Sequence, residues 1–404
     1  MEQTKTGARR APCPNRKKCG GCQLTNMSYE EQLAFKQSRV QRLVGRFCPV
    51  RPIVGMDEPY CYRNKVQAAF GLDRGRRIVS GVYQSSTHRI VPVDDCQLED
   101  DTADRIIVTI REMLPRYKLT AFDERTGRGF LRHVLVKRAF ATGQVMVVLV
   151  SGTKIFPPQR AFTAELVRRY PEIATVIHNV NDKFTSLVLG KQEKVLYGKG
   201  YIEDVLCGCR FRISAHSFYQ INPVQTEILY KTAVEYAGLT GTERVLDAYC
   251  GIGTIGMVAS RAAGEVAGVE LNRDAVRDAI ANARLNGIRN CWFTCADAGE
   301  FMESLAAEGK KADVVFLDPP RAGSTERFIA SLAKMAPRRV VYISCNPVTL
   351  ARDLAWFRQY GYRAEIAQPV DMFPHTEHIE TVVLLSHKKP DGHINVKVEF
   401  GEGE

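Results

Sequence analysis

The chain of 404 residues lacks any uninterrupted apolar run near the ~20 residues of a membrane-spanning helix. Its first residues contain no apolar signal-peptide segment, and we find no internal repeat or long low-complexity stretch. We therefore expect a globular cytoplasmic protein that contacts no membrane. No feature of the sequence indicates an obligate protein partner.

The chain also has fewer acidic than basic residues. The 45 Asp and Glu residues are outnumbered by 56 Lys and Arg residues, which gives a formal net charge of +11. This surplus favours a polyanionic partner, most commonly nucleic acid, although an ordinary solvated surface can have the same composition. With 45% hydrophobic residues, the chain can build two or three domains with their own cores.

Three of the twelve cysteines lie close together near the amino terminus. Cys13, Cys19 and Cys22 have C-x5-C-x2-C spacing in a loop rich in Gly, Pro and Lys, and Cys96 is the best candidate for a fourth ligand. In a reducing cytoplasm such a cluster indicates a metal centre more than disulfides. Four thiolates suit a [4Fe-4S] cluster or tetrahedral zinc, and three close ligands with a distant fourth favour the cluster.

The hydrophobic pattern divides the chain into four regions. Residues 1–61 contain the cysteine loop and an amphipathic helix over 28–46, with Leu33, Phe35, Val40 and Leu43 as its apolar residues. Residues 62–212 predict a mixed α+β domain, to which Cys96 belongs. Residues 213–388 alternate strands and helices, which indicates a doubly wound sheet. Residues 389–404 form a polar tail.

The central region has several strand-like segments and many basic residues. We predict strands at 65–70, 77–83, 131–136, 144–150, 175–179 and 185–189, with helices near 101–114 and 158–170. The basic residues recur near these strands and turns, as expected for a surface that follows a phosphate backbone. They are Arg63, Lys65, Arg74, Arg76, Arg77, Arg89, Arg132, Lys137 and Arg138.

The first unit of the carboxyl-terminal region indicates a nucleotide-like ligand. A short strand ends in Asp-Ala-Tyr-Cys-Gly-Ile-Gly-Thr over 247–254, where Gly251 and Gly253 allow close approach of a ligand to the backbone. Glu270 ends the next strand and can bind ribose hydroxyls, whereas Asp297 ends the third and can accept from an adenine amino group. The turn lacks the third glycine of the dinucleotide fingerprint, which favours S-adenosylmethionine over NAD.

The fourth strand of this region runs into Asp318-Pro-Pro-Arg321. Enzymes that methylate exocyclic amines carry an aromatic residue after the two prolines, and this chain has Arg321 there. The sequence therefore predicts that the acceptor atom is not an amine.

The fifth strand, Val340 to Ile343, ends at Cys345, and Asn346-Pro347 begins a helix. An isolated cysteine here could simply fill a strand end. Ligands, however, bind at the carboxyl edge of open α/β sheets, and a helix N-terminus lowers a thiol's pKa. A final strand running backwards beside the fifth would place Glu380 near Cys345. We predict that this pair is catalytic.

Five motifs in order resemble the RNA uridine-5-methyltransferase family: Ser-Phe-Tyr-Gln-Ile-Asn, Asp-Ala-Tyr-Cys-Gly-Ile-Gly-Thr, Asp-Pro-Pro-Arg, Ser-Cys-Asn-Pro and His-Ile-Glu-Thr. The resemblance implies a class I methyltransferase (Rossmann-like) α/β fold with an additional α+β domain. It implies Cys345 as nucleophile and Glu380 as proton acceptor. The residues implied at or near S-adenosylmethionine are Gln220, Tyr249, Thr254, Glu270, Asp297 and Asp318.

The resemblance also bears on the RNA substrate. Cys13, Cys19, Cys22 and Cys96 match the [4Fe-4S] site of the ribosomal RNA members, which implies large-subunit (23S) ribosomal RNA as the target. Many of those members begin with a small β-barrel RNA-binding domain, and this chain starts almost directly at the cysteines. Two alternatives remain at this point: an RNA cytosine-5 methyltransferase that uses the same thiol addition, and a non-catalytic iron-sulfur RNA-binding protein.

Overall fold

A computed structural model describes residues 12–84, 87, 89–124, 126–183, 185 and 187–387. The predicted polar tail over 389–404 lies outside the described residues. No helix in the described ranges combines the length and the apolar character needed to cross a membrane.

The first helix, α1 (Tyr29–Val44), forms as predicted but buries a different face. Ser28 and Glu31 form a capping box at its start, in which each side chain binds the other residue's backbone N–H. Phe35, predicted on the apolar face, is 40% exposed. The buried residues follow a strict four-residue spacing and are Gln32, Lys36, Val40 and Val44. Two polar side chains therefore point into the protein.

The central region forms a mixed seven-stranded sheet with strand order β3-β2-β1-β4-β5-β6-β7. Its strands are β1 (Lys65–Leu72), β2 (Ile78–Tyr83), β3 (Ile90–Pro92), β4 (Leu131–Arg138), β5 (Val145–Ser151), β6 (Ile173–Val180) and β7 (Gln192–Gly198). Its helices are α2 (Asp101–Arg116) and α3 (Gln159–Arg169). The strand predicted at 185–189 was wrong: the described residues there form bends and irregular structure, and the edge strand is β7.

A hairpin, β8 (Tyr201–Leu206) and β9 (Cys209–Ser214), leads into the second sheet. Its strands are β10 (Arg244–Ala248), β11 (Glu265–Glu270), β12 (Cys291–Cys295), β13 (Val314–Leu317), β14 (Arg339–Ser344), β15 (Tyr362–Val370) and β16 (Glu380–His387). Its helices are α4 (Pro223–Ala237), α5 (Thr254–Ala259), α6 (Arg273–Leu285), α7 (Ala298–Ala307), α8 (Glu326–Met335) and α9 (Pro347–Gln359).

The second sheet has strand order β12-β11-β10-β13-β14-β16-β15. The first five strands of this order pair in parallel, and β16 runs antiparallel between β14 and β15. The predicted doubly wound methyltransferase fold is therefore confirmed. The chain runs outward from β10 to β12 and then returns to β13 on the other side of β10. A crevice therefore forms at the carboxyl ends of β10 and β13, where ligands bind in such sheets.

Amino-terminal and carboxyl-terminal segments share one core. Val40, Val44 and Cys48 pack with residues of the second sheet, and backbone bridges join Val50 to Ala367 and Val54 to Val370. A second core cluster contains residues from both large sheets. The first helix and the residues that follow it consequently pack on the methyltransferase sheet, whose strands come much later in the sequence.

Candidate active site

The register of β14 and β16 brings Cys345 and Glu380 together. Ser344 pairs with Thr381 in the antiparallel ladder, so Cys345, one residue later, falls opposite Glu380, one residue earlier. Glu380 is 5% exposed and Cys345 is partly buried. The sequence-based expectation that these two residues lie close together agrees with this register.

The electrostatics of the thiol differ from the expectation. The pKa of Cys345 is raised to about 11, mainly by burial and then by the charges of Glu380 and Asp318, while the charge of Arg321 opposes the increase. The predicted lowering by the helix N-terminus was therefore wrong for the ligand-free protein, because lost hydration and two nearby carboxylates dominate. The pKa of Glu380 is likewise well above its usual value, through burial and Asp318, with Arg321 opposing.

Asn346 ties the cysteine turn to the loop after β13. Its side-chain oxygen accepts from the backbone N–H of Val348 at 3.1 Å, which caps α9 as predicted. Its amide nitrogen donates to the carbonyl of Arg321 at 3.3 Å. The exposed Arg321 is thereby held beside the turn that carries Cys345.

The glycine turn after β10 is organised by two carboxylates. Gly251 and Gly253 adopt positive φ angles of 56° and 81°, which favour glycine. Asp247 accepts from the backbone N–H of Gly256 at 2.9 Å, and Glu270 accepts from that of Gly251 at 3.1 Å. The turn is thus fixed at the carboxyl ends of β10 and β11.

A small, partly open cavity lies beside this turn. Four residues predicted at the cofactor line it, namely Gln220, Tyr249, Thr254 and Asp318. Glu270 joins them through its hydrogen bond to the turn. Asp297 instead caps α7, accepting from two backbone N–H groups, and its charge raises the pKa of Tyr249. Five of the six predicted residues therefore converge directly, and Asp297 lies at the neighbouring strand end.

Among the residues that line the cavity and were not predicted as site residues are Phe218, Tyr230 and Asp247. The Tyr230 hydroxyl lies 3.0 Å from that of Thr254, and Phe218 is 63% exposed. Asp247 stands at the end of β10 in the glycine motif, a position that could have identified it. Tyr230 lies within α4 and gave no such signal.

The charges of the cavity suit a cationic ligand. The pKa values of Asp247 and Asp318 are each about 7, and burial is the main cause. Both carboxylates would be stabilised in their charged form by a nearby positive group. A sulfonium with ribose and amino groups meets this requirement, so the residues fit S-adenosylmethionine.

The central region supports one wall of the cavity. Asn64 donates through its side chain to the carbonyl of Gln220 at 3.0 Å. Lys137, at the end of β4, donates to the carbonyls of Ser214 and Ser217, both at 2.8 Å. Burial, followed by Lys65, lowers the pKa of Lys137 to about 7. Lys137 was among the basic residues predicted near RNA, but its contacts lie inside the protein.

The four predicted cluster ligands gather in one region without forming a ligand set. Cys13 acts on the pKa of both Cys19 and Cys22, and Cys19, Cys22 and Cys96 all interact with Glu99. In the part of the chain that the structure describes, however, no three His, Cys, Asp or Glu side chains form a group that could hold a metal ion. The four thiols would therefore have to move closer together before they could bind a cluster.

A parallel sheet with a reversed last strand, a glycine turn and a cavity of buried carboxylates together define a class I S-adenosylmethionine-dependent methyltransferase. A family model described as tRNA (Uracil-5-)-methyltransferase matches residues 183–388. The chain is 44% identical over 383 residues to an uncharacterized RNA methyltransferase of Halalkalibacterium halodurans, covering 94% of this chain and 83% of the relative. A relative from Clostridium tetani, also named an uncharacterized RNA methyltransferase, is 42% identical over 93% of this chain and 82% of its own.

Among solved structures, the tRNA (uracil-54, C5)-methyltransferase of Pyrococcus abyssi, in complex with S-adenosyl-L-homocysteine, matches with a TM-score of 0.76. The two are 27% identical, and the match covers 91% of this chain and 86% of the other. The chain therefore belongs to the RNA uridine-5-methyltransferase family. It is an S-adenosylmethionine-dependent RNA methyltransferase.

Proposed function

We propose that this protein methylates C5 of a uridine in RNA through a covalent bond between Cys345 and C6 of the base. The observation that carries the proposal is the register that sets Cys345 opposite Glu380 at the carboxyl edge of the sheet. Uracil C5 is too weak a nucleophile to take a methyl group directly. Addition of a thiolate to C6 moves an electron pair onto C5, which makes C5 reactive.

The residues divide the remaining steps between them. The proton of the Cys345 thiol leaves before attack, and Asp318, whose charge acts on that thiol, can accept it. Arg321 stabilises negative charge that develops on the uracil oxygen. S-Adenosylmethionine bound in the cavity would supply the methyl group: C5 would bond to it as the methyl C–S bond breaks, leaving S-adenosylhomocysteine. Glu380 then removes the C5 proton, the Sγ–C6 bond breaks, and 5-methyluridine is released with the free thiol.

We assign RNA binding chiefly to residues 62–212 and methyl transfer to 213–388. A groove along β2, from the turn between β1 and β2 to the residue before β3, is lined by exposed basic residues. We name this set the hairpin arginines: Arg74, Arg76, Arg77 and Arg89. The turn lies about 24 Å along β1 from Lys65, at ~3.4 Å per residue, and so can hold the phosphate backbone away from the reacting base. The target base must leave its stack to reach the thiol.

We further propose that Cys13, Cys19, Cys22 and Cys96 hold a [4Fe-4S] cluster and that the substrate is large-subunit ribosomal RNA. Both proposals rest on the family resemblance of the cysteine spacing. Iron and sulfide content of anaerobically purified protein, compared with Cys22→Ser, tests the first. Equal iron and sulfide content and equal absorbance in the wild type and in Cys22→Ser would refute it.

The decisive experiment supplies methyl-labelled S-adenosylmethionine and unmodified ribosomal and transfer RNA to the wild type and to Cys345→Ala. We expect label in 5-methyluridine of 23S ribosomal RNA and none with the variant. Label in transfer RNA, the substrate named for the Pyrococcus enzyme, would correct the substrate. Label in 5-methylcytidine would establish the cytosine alternative, and bound RNA without any label would indicate a binding protein.

A further inference from the structure

The loop between β15 and β16, residues 371–379, leads directly into Glu380. Val370 and Glu380 are the last paired residues of the two strands, so the loop closes onto the glutamate itself. Any shift of this loop is therefore passed to the side chain at its end. The loop is held largely by contacts with the amino-terminal segment, residues 24–36.

The main contact is a fully buried ion pair. Lys36 of α1 donates to Asp371 at 2.6 Å, and both side chains are 0% exposed. Lys36 also donates to the carbonyl of Phe373 at 3.0 Å, and Tyr29 donates to the second carboxylate oxygen of Asp371 at 3.0 Å. Burial lowers the pKa of Lys36 and the charge of Asp371 opposes this, so the charge of Lys36 depends on its partner.

A second group of contacts holds the middle of the loop. The backbone N–H of His375 donates to the side-chain oxygen of Gln32 at 2.9 Å, and its carbonyl accepts from the N–H of Leu24 at 3.1 Å. The ring of Tyr60 stacks on that of His375 at 4.8 Å between centroids. His375 has a φ of 67°, in the left-handed region that a non-glycine residue enters at a cost. Contacts from outside the loop maintain that conformation.

Neither Lys36 nor Asp371 lines the cofactor cavity described above. A buried ion pair seldom adds much stability compared with a well-packed apolar pair, so stability alone explains this pair poorly. Its contacts instead fix the direction in which the chain enters β16. That geometry matters most for Glu380, since proton transfer needs heavy atoms within about 2.6–3.2 Å.

We propose that Lys36 and Asp371 are positioning residues that hold the loop so that Glu380 reaches the C5 proton. This inference rests on the proposed uridine methylation. The loop between β15 and β16 is fixed from α1, across 335 residues of sequence. The ion pair acts on the last stage of the reaction, after the Cys345–C6 bond has formed and the methyl group has moved.

Lys36→Met tests the proposal in the full-length protein. We expect kcat to fall about 10–100-fold, as for a displacement near 1 Å, with KM values for RNA and S-adenosylmethionine little changed. Because bond formation precedes proton removal, a covalent RNA–protein adduct carrying the labelled methyl group should accumulate. Denaturing gels detect it, with Glu380→Gln as the positive control. Lys36→Arg, which keeps the charge, should restore part of kcat and reduce the adduct.

Arg339→Met is the matched control. Arg339 donates to the carbonyls of Ala237 and Gly238 at 2.8 and 3.1 Å, and it begins β14 at the edge of the sheet opposite Glu380. Its loss should lower thermal stability without causing the adduct to accumulate. All variants are assayed below the melting temperature of the least stable one.

The outcomes separate the two proposals. A wild type that makes no 5-methyluridine refutes the proposed function. The positioning role is tested once the wild type and Glu380→Gln behave as expected. It is refuted if Lys36→Met then accumulates no adduct and loses no more kcat than Arg339→Met. Should Lys36→Met fail to fold, Asp371→Asn removes the same charge pairing and is judged by the same adduct measurement.

Discussion

The two large sheets use charged residues in opposite ways. In the methyltransferase sheet, the carboxylates of Asp247, Asp318 and Glu380 sit at strand ends where burial raises their pKa values. In the central sheet, the hairpin arginines are exposed to water in the connections at the two ends of β2. The protonation state of a buried group depends on pH and on nearby bound charges, whereas the interactions of an exposed charge weaken as the salt concentration rises. Changes in the first sheet should therefore alter chemistry and pH dependence, and changes in the second should alter affinity.

The largest effect is expected at Glu380. Replacing it by Gln removes the base but keeps the size, so kcat should fall about 10²–10⁴-fold, while the methylated adduct with Cys345 persists. Single-turnover assays with labelled methyl groups, resolved on denaturing gels, measure both quantities. Unchanged turnover would assign proton removal to another group.

The hairpin arginines offer the contrasting test. In Arg74→Gln/Arg76→Gln/Arg89→Gln, RNA affinity should fall about 10–100-fold at low salt, and the slope of log K against log salt should decrease by about 2–3. Arg77 stays, because Asp73 fixes it in the turn at 2.8 Å. Saturating RNA should restore kcat. Filter binding across a salt series measures the slope.

A control triple variant, Arg277→Gln/Arg327→Gln/Arg363→Gln, removes three exposed arginines, each beside a carboxylate, from the helices and strands of the methyltransferase region. An equal fall in slope for both triples would mean that net charge alone attracts RNA and that the groove has no special role.

A smaller effect is expected at Arg321, the charge that lowers the pKa of Cys345 against burial and two carboxylates. Arg321→Gln should raise that pKa further and slow alkylation of Cys345 by iodoacetamide at pH 8 several-fold, because only the thiolate reacts. Arg321→Lys should remain close to the wild type. Peptide mass spectrometry follows Cys345 separately from the other cysteines, and equal rates in all three proteins would contradict the assignment.

The smallest effect concerns stability. The pKa of Asp318 is about 7 in the folded protein, above its ordinary value of 3.8, so its contribution to stability is complete below pH 4 and is lost as pH rises through 7. Asp318→Asn should therefore raise the melting temperature at pH 8.5, by roughly 2–4 °C per kcal/mol, more than at pH 5. Thermal scans at both pH values check this. An equal change in melting temperature at each pH would show that burial does not raise the pKa of Asp318.

Much of the site could be predicted because it follows backbone rules. Cys345 and Glu380 meet through ladder register, and Glu270 reaches the glycine turn because parallel strands end at one edge. The thiol's pKa could not be predicted, since it depends on burial and on carboxylates distant in sequence. The same holds for α1, whose predicted apolar residues did not include the buried Gln32 and Lys36. Their spacing with Val40 and Val44 was the available signal, but only tertiary contacts identify the buried partner.

Lys36 and Asp371 also constrain how the protein is made. At ~5–20 residues per second, the ribosome needs about 17–70 s to synthesise the 335 residues that separate them. Throughout that time the lysine that will be buried has no counter-ion, and α1 has no surface on which to fold. A nascent chain can complete its central domain meanwhile, yet its amino terminus must wait for β15 and the loop that follows. A prematurely terminated chain would consequently expose both an unfolded amino terminus and an incomplete sheet edge, which makes it a ready substrate for proteolysis.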